Sequence, residues 1–295
     1  MLTVAELCEP LWQALQKHIL SYDYCQADET PVQVLQEPGR TNTQKSYIWI
    51  YRGGNEKQKS VVYDYQETRS GYHAQNFLHG FKGYLQTDGY AGYNWVSDLN
   101  EIIHLGCMTH ARRPFAELVK LTKKPGKAHQ ALTLIQKLYA VEKEARDKNL
   151  SYEQRFLLRN QESKPILDKL KEWLESTMRG SPPQGKLGKG IKYIVDRWTE
   201  LTNYLKNGRL EIDNNAIENC IRPFAIGRKG WLFMGSPKGA RAGVIFYSLI
   251  LTCKANDIDP ASYFNTMLNR IRDCKTAEDY KALLPFNIDP SALSK

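Results

Sequence analysis

Cysteine is sparse in this sequence and is not arranged in pairs. Six cysteines are spread from Cys8 to Cys274, and no two form a CxxC pair. A zinc ribbon needs closely spaced ligand pairs, and a small secreted domain needs a dense disulfide framework. Both classes are therefore disfavoured, and the cysteines are expected to be reduced thiols of a cytosolic protein.

Long hydrophobic runs and several catalytic motifs are absent as well. No apolar stretch approaches the roughly 20 residues of a transmembrane helix. The N-terminal segment LTVAELCEPLWQAL has the pattern of an amphipathic helix rather than of a signal peptide. There is no G-x-S-x-G nucleophile elbow and no glycine-rich phosphate loop. We therefore expect no membrane partner, and serine or cysteine nucleophile chemistry finds no support.

What the sequence does contain is an excess of positive charge. Its 295 residues include 41 lysines and arginines against 32 acidic residues, a formal net charge of +9 at pH 7. Such an excess favours a polyanionic partner, although many basic proteins bind none. With 42% hydrophobic residues, the chain is expected to form one large globular domain or a domain carrying an insertion.

Hydrophobic periodicity predicts a mixed α/β core in the first part of the chain. A lead-in helix over residues 1–21 is followed by a core segment over residues 22–114. TPVQVL, KSYIWIYRG and SVVYDY predict three consecutive strands, and GYLQTD and IIHLGCM predict two more, each preceded by a short helix. The order β-β-β-α-β-α-β is typical of an α/β fold with a mixed sheet.

The remainder of the chain is predicted to be helical. Residues 115–206 show three apolar stripes at helical spacing and form an all-helical insertion, with breaks at residues 123–126 and 179–190. Residues 207–284 return to the core and bring the last helices, and residues 285–295 are a turn-rich tail. This division predicts a core interrupted by one insertion.

The densest chemistry lies in residues 208–236, GRLEIDNNAIENCIRPFAIGRKGWLFMGS. Asp213 and the two asparagines after it are candidate N-caps of a helix. Glu218 and Arg222 stand four residues apart on its surface, and Pro223 is expected to kink or end it. A capped surface helix with a solvated ion pair is the plainer interpretation. The density of charge and amide groups instead favours a site where metal, phosphate and nucleic acid meet.

Three acidic residues fit such a site. Asp28 lies on or beside the first strand, Asp88 closes the fourth strand before a glycine, and Glu218 projects from the helix after the insertion. Two strand-end aspartates and a helical glutamate form a hard-oxygen ligand set for two divalent ions roughly 3.5–4 Å apart. Taken singly, each carboxylate is more often a turn cap or a surface charge.

Several of these segments resemble the transposases of the insertion sequence 66 family. The resemblance covers residues 1–272 and is carried by ADETPV, LQTDGYAGY, HLGCMTHARRPFAEL, YSLILTCKANDIDPASYF and above all the run from Asp213 to Lys229. It implies a DDE-type, ribonuclease-H-like catalytic domain (β-β-β-α-β-α-β-α) with a helical insertion before the Glu-bearing helix. In that pattern Asp28, Asp88 and Glu218 are the catalytic acids that bind two Mg²⁺ ions, with Mn²⁺ tolerated.

The resemblance also implies partners. The expected reaction is metal-dependent DNA strand cleavage and transfer, by a homo-oligomer assembled on DNA in the bacterial cytoplasm, nucleoid-associated, with other proteins of the same element as further partners. Guanidinium and ammonium groups suited to phosphate are Arg112, Arg113, Arg222, Arg228 and Lys229. His110, three residues after Cys107, is a possible neighbour of the active site, but a structural role is favoured.

Two alternatives stay open. Members of this family carry an N-terminal half that has no counterpart here, and the sequence departs from the family pattern at Pro114, Asn219 and Gly230. The chain is thus expected to be the catalytic portion alone. A non-catalytic remnant would bind DNA or the full-length transposase and interfere with it. A stand-alone nuclease of the same fold is the second alternative.

Overall fold

The structure is a computed structural model that describes residues 2–122, 125–289 and 291. Its first part alternates helices and strands in the predicted order. In sequence these elements are α1 (Leu2–Leu20), β1 (Tyr24–Gln33), β2 (Lys45–Gly54), β3 (Lys59–Gln66), α2 (Gly71–Phe77), β4 (Gly83–Gln86), a 3₁₀ helix (Ala91–Asp98) and β5 (Ile102–Leu105).

The second part is helical throughout. Its helices are α3 (Met108–Thr122), α4 (Lys127–Asp147), α5 (Tyr152–Leu158), α6 (Lys164–Met178), α7 (Lys186–Asp196), α8 (Trp198–Thr202), α9 (Asn215–Trp231), α10 (Pro237–Ala255), α11 (Pro260–Arg270) and α12 (Ala277–Ala282). Short 3₁₀ segments follow α8, α11 and α12, and one π-helical turn joins α5 to α6. None of the helices within the described ranges is long and apolar enough to cross a bilayer.

The five strands form one mixed sheet with the order β3-β2-β1-β4-β5. β2 pairs antiparallel with both β1 and β3, so the three predicted consecutive strands form an antiparallel meander. β1 begins at Tyr24, well before the predicted TPVQVL, so its N-terminal half was missed. The polar side chains of that half are satisfied locally: the Gln26 amide oxygen accepts from Arg52 at 3.1 Å, and Glu29 accepts from Arg69 at 2.7 Å.

The chain divides into two compact units. Unit 1 comprises Met1–Leu85, Ala91–Ile102 and Ala216–Lys295, and unit 2 comprises Gln86–Tyr90 and Ile103–Asn215. In unit 1, α9 and α10 pack on one face of β1, β2 and β3. The buried side chains of that core are Val32, Val34, Ile48, Ile50, Val61, Tyr63, Ile217, Cys220, Phe224, Ala240, Val244 and Leu251.

β3 is an edge strand of the sheet, and one row of polar side chains on α10, the α10 stripe, covers its outer edge. Ser248 and Thr252 accept the backbone N–H groups of Tyr63 (2.8 Å) and Val61 (3.0 Å), and Asn256 bonds both backbone groups of Lys59. These side chains lie four residues apart, so they follow one face of the helix. The stripe therefore replaces a neighbouring strand, which removes an exposed edge that would otherwise invite intermolecular pairing.

Unit 2 contains α4, α5, α6, α7 and α8, with a core in which α3 packs on α4 and α7. The rings of Phe115 and Trp173 meet edge to face with their centroids 6.0 Å apart. α5 was not predicted, and the third predicted apolar stripe is not one helix but is divided into α7, α8 and a 3₁₀ turn. Lys123 and Lys124, in a predicted break, and Pro290 and residues 292–295, in the predicted tail, lie outside the described residues.

α9 does not end at Pro223 but runs on to Trp231, which excludes the predicted ending, while the alternative of a kink stays a prediction. An internal proline removes one backbone hydrogen bond, at a cost of about 3 kcal/mol or more. The apolar stripe of Ile217, Cys220 and Phe224 continues across the proline and is buried against the sheet. Tertiary packing of this kind supplies most helix stability in proteins, and here it outweighs the local penalty.

Candidate functional site

Asp28 lies in the middle of β1, opposite Ile50 of β2. The expectation that it stands at a strand end was therefore wrong, because β1 starts earlier than its apolar pattern suggested. Asp28 is half-buried, whereas Ala27 and Glu29 on either side are buried. Its Oδ1 accepts the backbone N–H of Glu29 at 2.7 Å. A partly accessible carboxylate thus interrupts an otherwise buried strand.

Glu218 lies in the first turn of α9, over the same face of the sheet. Ile217 and Cys220, on either side of it, share one buried cluster with Ile50, the residue opposite Asp28. The Tyr63 hydroxyl donates to the Cys220 carbonyl and fastens this turn to β3. Alternate residues of a strand lie on the same face of the sheet. Val32, four residues after Asp28, belongs to the buried cluster, so Asp28 lies on the face of the sheet that α9 covers. Unit 1 therefore brings Asp28 and the Glu218 turn to one face.

The N-terminus of α9 is organised by Asp213 in unit 2. Its carboxylate accepts the Asn215 N–H at 3.1 Å and the hydroxyls of Tyr139 and Thr109 at 2.9 and 3.1 Å. The bond from the Asn215 N–H to Asp213 closes an Asx turn just before α9, which begins at Asn215, so the choice among the three candidate N-caps stays a prediction. Burial, together with the neighbouring Asp213 charge, raises the pKa of Tyr139 well above its usual value, which keeps that hydroxyl a donor.

Asp88 belongs to unit 2 and lies two residues beyond β4, not at its last position as predicted. Its Oδ1 accepts the backbone N–H of Tyr90 at 2.8 Å, which closes a tight turn. A Cβ on Gly89 would lie 2.6 Å from the Tyr193 ring, and Arg197 donates to the Gly89 carbonyl at 2.7 Å. A side chain at residue 89 would therefore force the Tyr193 and Arg197 side chains, or the turn itself, to move.

A neutral histidine supports the Asp88 turn. The Thr87 hydroxyl donates to the Asp88 carbonyl at 2.8 Å and lies 2.7 Å from His104 Nε2. Burial, and then the positive charge of Arg197, lower the pKa of His104 to about 4, although the Asp88 charge acts in the opposite direction. At neutral pH the imidazole therefore adds no charge beside Asp88.

The five predicted phosphate-binding residues differ in their surroundings. Arg113 on α3 and Arg222 and Lys229 on α9 are exposed, and Arg112 on α3 is half-buried. Arg228 is also half-buried, and its guanidinium donates to the Thr30 hydroxyl at 3.0 Å and to the Pro31 carbonyl. Arg228 therefore fastens the end of α9 to β1, which occupies part of its hydrogen-bonding capacity.

Cys107 and His110 lie at the start of α3 in unit 2. Cys107 is fully buried, and its Sγ accepts the backbone N–H of Asn214 at 3.2 Å. Burial raises the pKa of this thiol to about 12. The thiolate is the metal-binding form of cysteine. The structural role that was favoured for this pair stays a prediction.

Sequence reasoning missed a buried charge cluster in unit 2. The Arg159 guanidinium donates to Glu142 and to the backbone carbonyls of Tyr204, Asn207 and Leu210, at 2.7–3.0 Å. Arg155 joins Glu142 to Glu211. The spacing of Arg155 and Arg159, four residues apart, is the one sequence signal for the cluster. It fixes residues 204–211, the segment that leads into Asp213 and α9.

Comparison with known proteins gives a consistent result. The profile described as "Transposase IS66 family" matches residues 1–242, and the one described as "IS66 C-terminal element" matches residues 248–286. Three uncharacterized proteins of Sinorhizobium fredii are similar to the chain. y4qI is 33% identical, and the match covers 90% of this chain and 51% of the relative. For y4hP the identity is 30% and the two coverages are 94% and 53%, and for y4jD they are 31%, 96% and 57%.

The chain thus spans about half the length of the curated relatives it matches. No solved structure is significantly similar to it.

Proposed function

Since the chain belongs to the IS66 family of transposases, we propose that it is the DDE-type catalytic domain that cleaves and transfers DNA strands with two divalent metal ions. The observation that carries this proposal is the placement of Asp28 and the Glu218 turn on one face of unit 1. Asp88 follows β4, which is the neighbour of β1 in the sheet. The strand order β3-β2-β1-β4-β5, with three leading antiparallel strands, supports a ribonuclease-H-like core.

The donor chemistry fits a pair of Mg²⁺ ions. Asp28, Asp88 and Glu218 offer carboxylate oxygens, the ligands that Mg²⁺ prefers. Asp28 and Glu218 are half-buried, so they are accessible to an ion but shielded from full hydration. When bound, two such ions activate water or a 3′-hydroxyl and stabilise the leaving oxygen.

The remaining site residues orient the acids and the DNA. Arg222, one turn after Glu218 on α9, is within reach of its carboxylate or of the scissile phosphate. Arg112, Arg113 and Lys229 supply further phosphate contacts, and Arg228 fixes the end of α9 beside β1. Because phosphate contacts release counterions, we expect DNA binding to weaken steeply with salt. Assembly on DNA as a homo-oligomer, with other proteins of the element, belongs to the same proposal.

The test is cleavage by the purified chain of a duplex carrying the element's ends, with Mg²⁺ or Mn²⁺. Asp28→Asn, Asp88→Asn and Glu218→Gln keep side-chain size and remove the charge. Each is expected to lower the cleavage rate by at least about a hundredfold. Asp98→Asn, which changes an exposed carboxylate on the 3₁₀ helix, is the matched control and should cleave like the wild type.

The outcomes of this experiment distinguish catalysis by the three acids from the alternatives. Equal cleavage by the wild type and the three variants would overturn the assignment of the acids. Binding without cleavage in either metal would favour the alternative that the chain acts by occupying DNA or by binding the full-length transposase.

A further inference from the structure

A strained turn follows α9. The Phe233 N–H donates to the Trp231 carbonyl at 2.7 Å, and Leu232 between them has φ +64°. A hydrogen bond that spans three residues around a positive φ defines a γ-turn of the rare, strained kind. Glycine adopts such a φ freely, whereas a leucine does so at an energetic cost. Strain of this kind is concentrated at functional positions.

The turn is anchored on both sides. On one side, Trp231 packs edge to face on Phe224, with ring centroids 5.3 Å apart. On the other, Met234 forms two backbone hydrogen bonds at the end of β1. Its N–H donates to the Gln33 carbonyl at 2.9 Å, and its carbonyl accepts the Leu35 N–H at 2.8 Å. The backbone of the turn is therefore held by the sheet and by the core of unit 1.

The anchored turn projects two apolar side chains. Leu232 is 63% exposed and Phe233 is 45% exposed, while Trp231 and Met234 on either side pack against the core. A single exposed apolar residue is common and needs no explanation. Here two consecutive apolar side chains are exposed on a strained and anchored backbone, and neither contributes to the buried core of the unit.

The charge around the turn selects the kind of partner. Between Glu218 and Asp257 the sequence contains no acidic residue and six basic ones. Among these, Lys229 and Lys238 are exposed and flank the turn in sequence. Apolar side chains with flanking ammonium groups match nucleic acid, whose bases are apolar on their faces and whose phosphates are anionic.

We propose that Leu232 and Phe233 form a DNA wedge that enters the base stack of the bound DNA and stacks on an unpaired base. The inference rests on the proposed function, since it assumes that DNA is the substrate of this chain. Apolar wedges unstack base steps and kink DNA, and an aromatic ring stacks on any base regardless of sequence. A rigid turn suits this role because no further ordering is needed on binding.

The wedge is tested by comparing two labelled duplexes of the same sequence, one intact and one with a single unpaired base, by fluorescence anisotropy without divalent metal. The wild-type chain is expected to bind the duplex with the unpaired base more tightly. Phe233→Ala and Leu232→Ala should reduce this preference, by roughly tenfold for Phe233→Ala. Phe233→Tyr keeps the ring and should keep the preference.

Two control variants separate the wedge from other effects. Leu157→Ala on α5 removes an apolar side chain of equal exposure, 64%, and should leave the preference unchanged. Lys229→Gln should weaken binding to both duplexes alike, because a phosphate contact does not distinguish them. A thermal melt of each variant shows that the fold is retained.

The proposal is overturned if the wild type shows no preference, or if Phe233→Ala and Leu232→Ala retain it. It is also overturned if these two variants change self-association in the absence of DNA but not the preference, which would assign the turn to a protein interface. The experiment is independent of cleavage. If the chain cleaves DNA but does not prefer the duplex with the unpaired base, the proposed function stands and the wedge is overturned. If it prefers that duplex but does not cleave DNA, the wedge stands and the proposed function is overturned.

Discussion

The guanidinium of Arg159 donates to both carboxylate oxygens of Glu142 at 2.8 Å, and neither side chain has any exposed surface. Burial would raise the pKa of Glu142, but hydrogen bonds and charge from Arg159 and Arg155 lower it below its usual value. The remaining Arg159 donors bond the carbonyls of Tyr204, Asn207 and Leu210. One buried side chain thus links the helices of unit 2 to the segment before α9.

Removing this guanidinium should be costly. Arg159→Met is expected to lower the free energy of unfolding by about 3–5 kcal/mol, because it breaks a buried ion pair and leaves three carbonyls without their donor. Denaturant unfolding of the full chain measures the loss. Lys148→Met is the control, since it breaks an exposed pair with Glu144 whose distance, 2.6 Å, is even shorter. That variant should lose less than about 1 kcal/mol. Equal losses in both variants would contradict the importance of burial.

The α10 stripe that covers β3 gives a second prediction. The Thr252 hydroxyl accepts the Val61 N–H at 3.0 Å and donates to the Val61 carbonyl at 3.1 Å. Thr252→Val keeps the shape of the side chain and leaves both backbone groups unpaired in the core. The expected loss is about 1–3 kcal/mol of unfolding free energy, measured by denaturant titration.

The matched control for the stripe is Thr122→Val on α3. The Thr122 hydroxyl bonds the Leu118 carbonyl within its own helix and is exposed. The change is chemically identical, so its effect should stay within about 0.5 kcal/mol. A Thr252→Val protein as stable as this control would show that α10 does not satisfy the strand edge.

The strands that the sequence predicted well are those whose signals are local. β2 and β3 are runs of β-branched and aromatic residues between turn residues, and this pattern alone predicts a strand. The N-terminal half of β1 was missed because its polar residues are stabilised by distant partners. Glu29 bonds Arg69 at 2.7 Å and the Tyr93 hydroxyl at 3.1 Å, and no local pattern predicts either contact.

In the candidate site, too, the residue types were predictable from the sequence, whereas their tertiary contacts were not. Asp28, Asp88 and Glu218 were selected for their expected places on strands and a helix, and the family resemblance then matched the same three residues. The contacts that support them come from residues far along the chain, such as Arg197 on the Gly89 carbonyl and Tyr63 on the Cys220 carbonyl. Such contacts depend on tertiary packing, so periodicity and spacing cannot predict them.

The buried His104 predicts a pH dependence of stability. Its pKa is about 4 in the folded chain and about 6.5 when unfolded, so between these values the unfolded state binds more protons. The stability contributed by the neutral ring is complete above pH 6.5 and is lost as the pH falls towards 4. His104→Gln has no such titration.

The measurement compares the unfolding free energy of wild type and His104→Gln from pH 7 to pH 4. The difference between the two proteins should change by up to about 3 kcal/mol over this range, with the wild type losing more. His18, whose pKa burial also lowers to about 4, remains in both proteins and cancels in the difference. Parallel curves for the two proteins would contradict the prediction.

The turn at Asp88 gives the last prediction, because its geometry depends on the absence of a side chain at Gly89. In Gly89→Ala the new methyl group would lie 2.6 Å from the Tyr193 ring and 2.8 Å from Arg197 Nε, so the turn or these side chains must move. Overpacking of this kind costs about 1–3 kcal/mol of stability. If Asp88 binds metal as proposed, its displacement should also lower DNA cleavage by about a hundredfold.

A second substitution distinguishes displacement from a general loss of folding. Tyr193→Leu in the Gly89→Ala protein makes room for the methyl group, so we expect it to restore part of the cleavage rate, as a double-mutant cycle would measure. Gly126→Ala, where the added methyl meets no atom of the described residues within 4 Å, should cleave like the wild type. If Gly89→Ala cleaves DNA at the wild-type rate, the Tyr193 and Arg197 side chains move instead of the turn, and the predicted displacement of Asp88 is overturned.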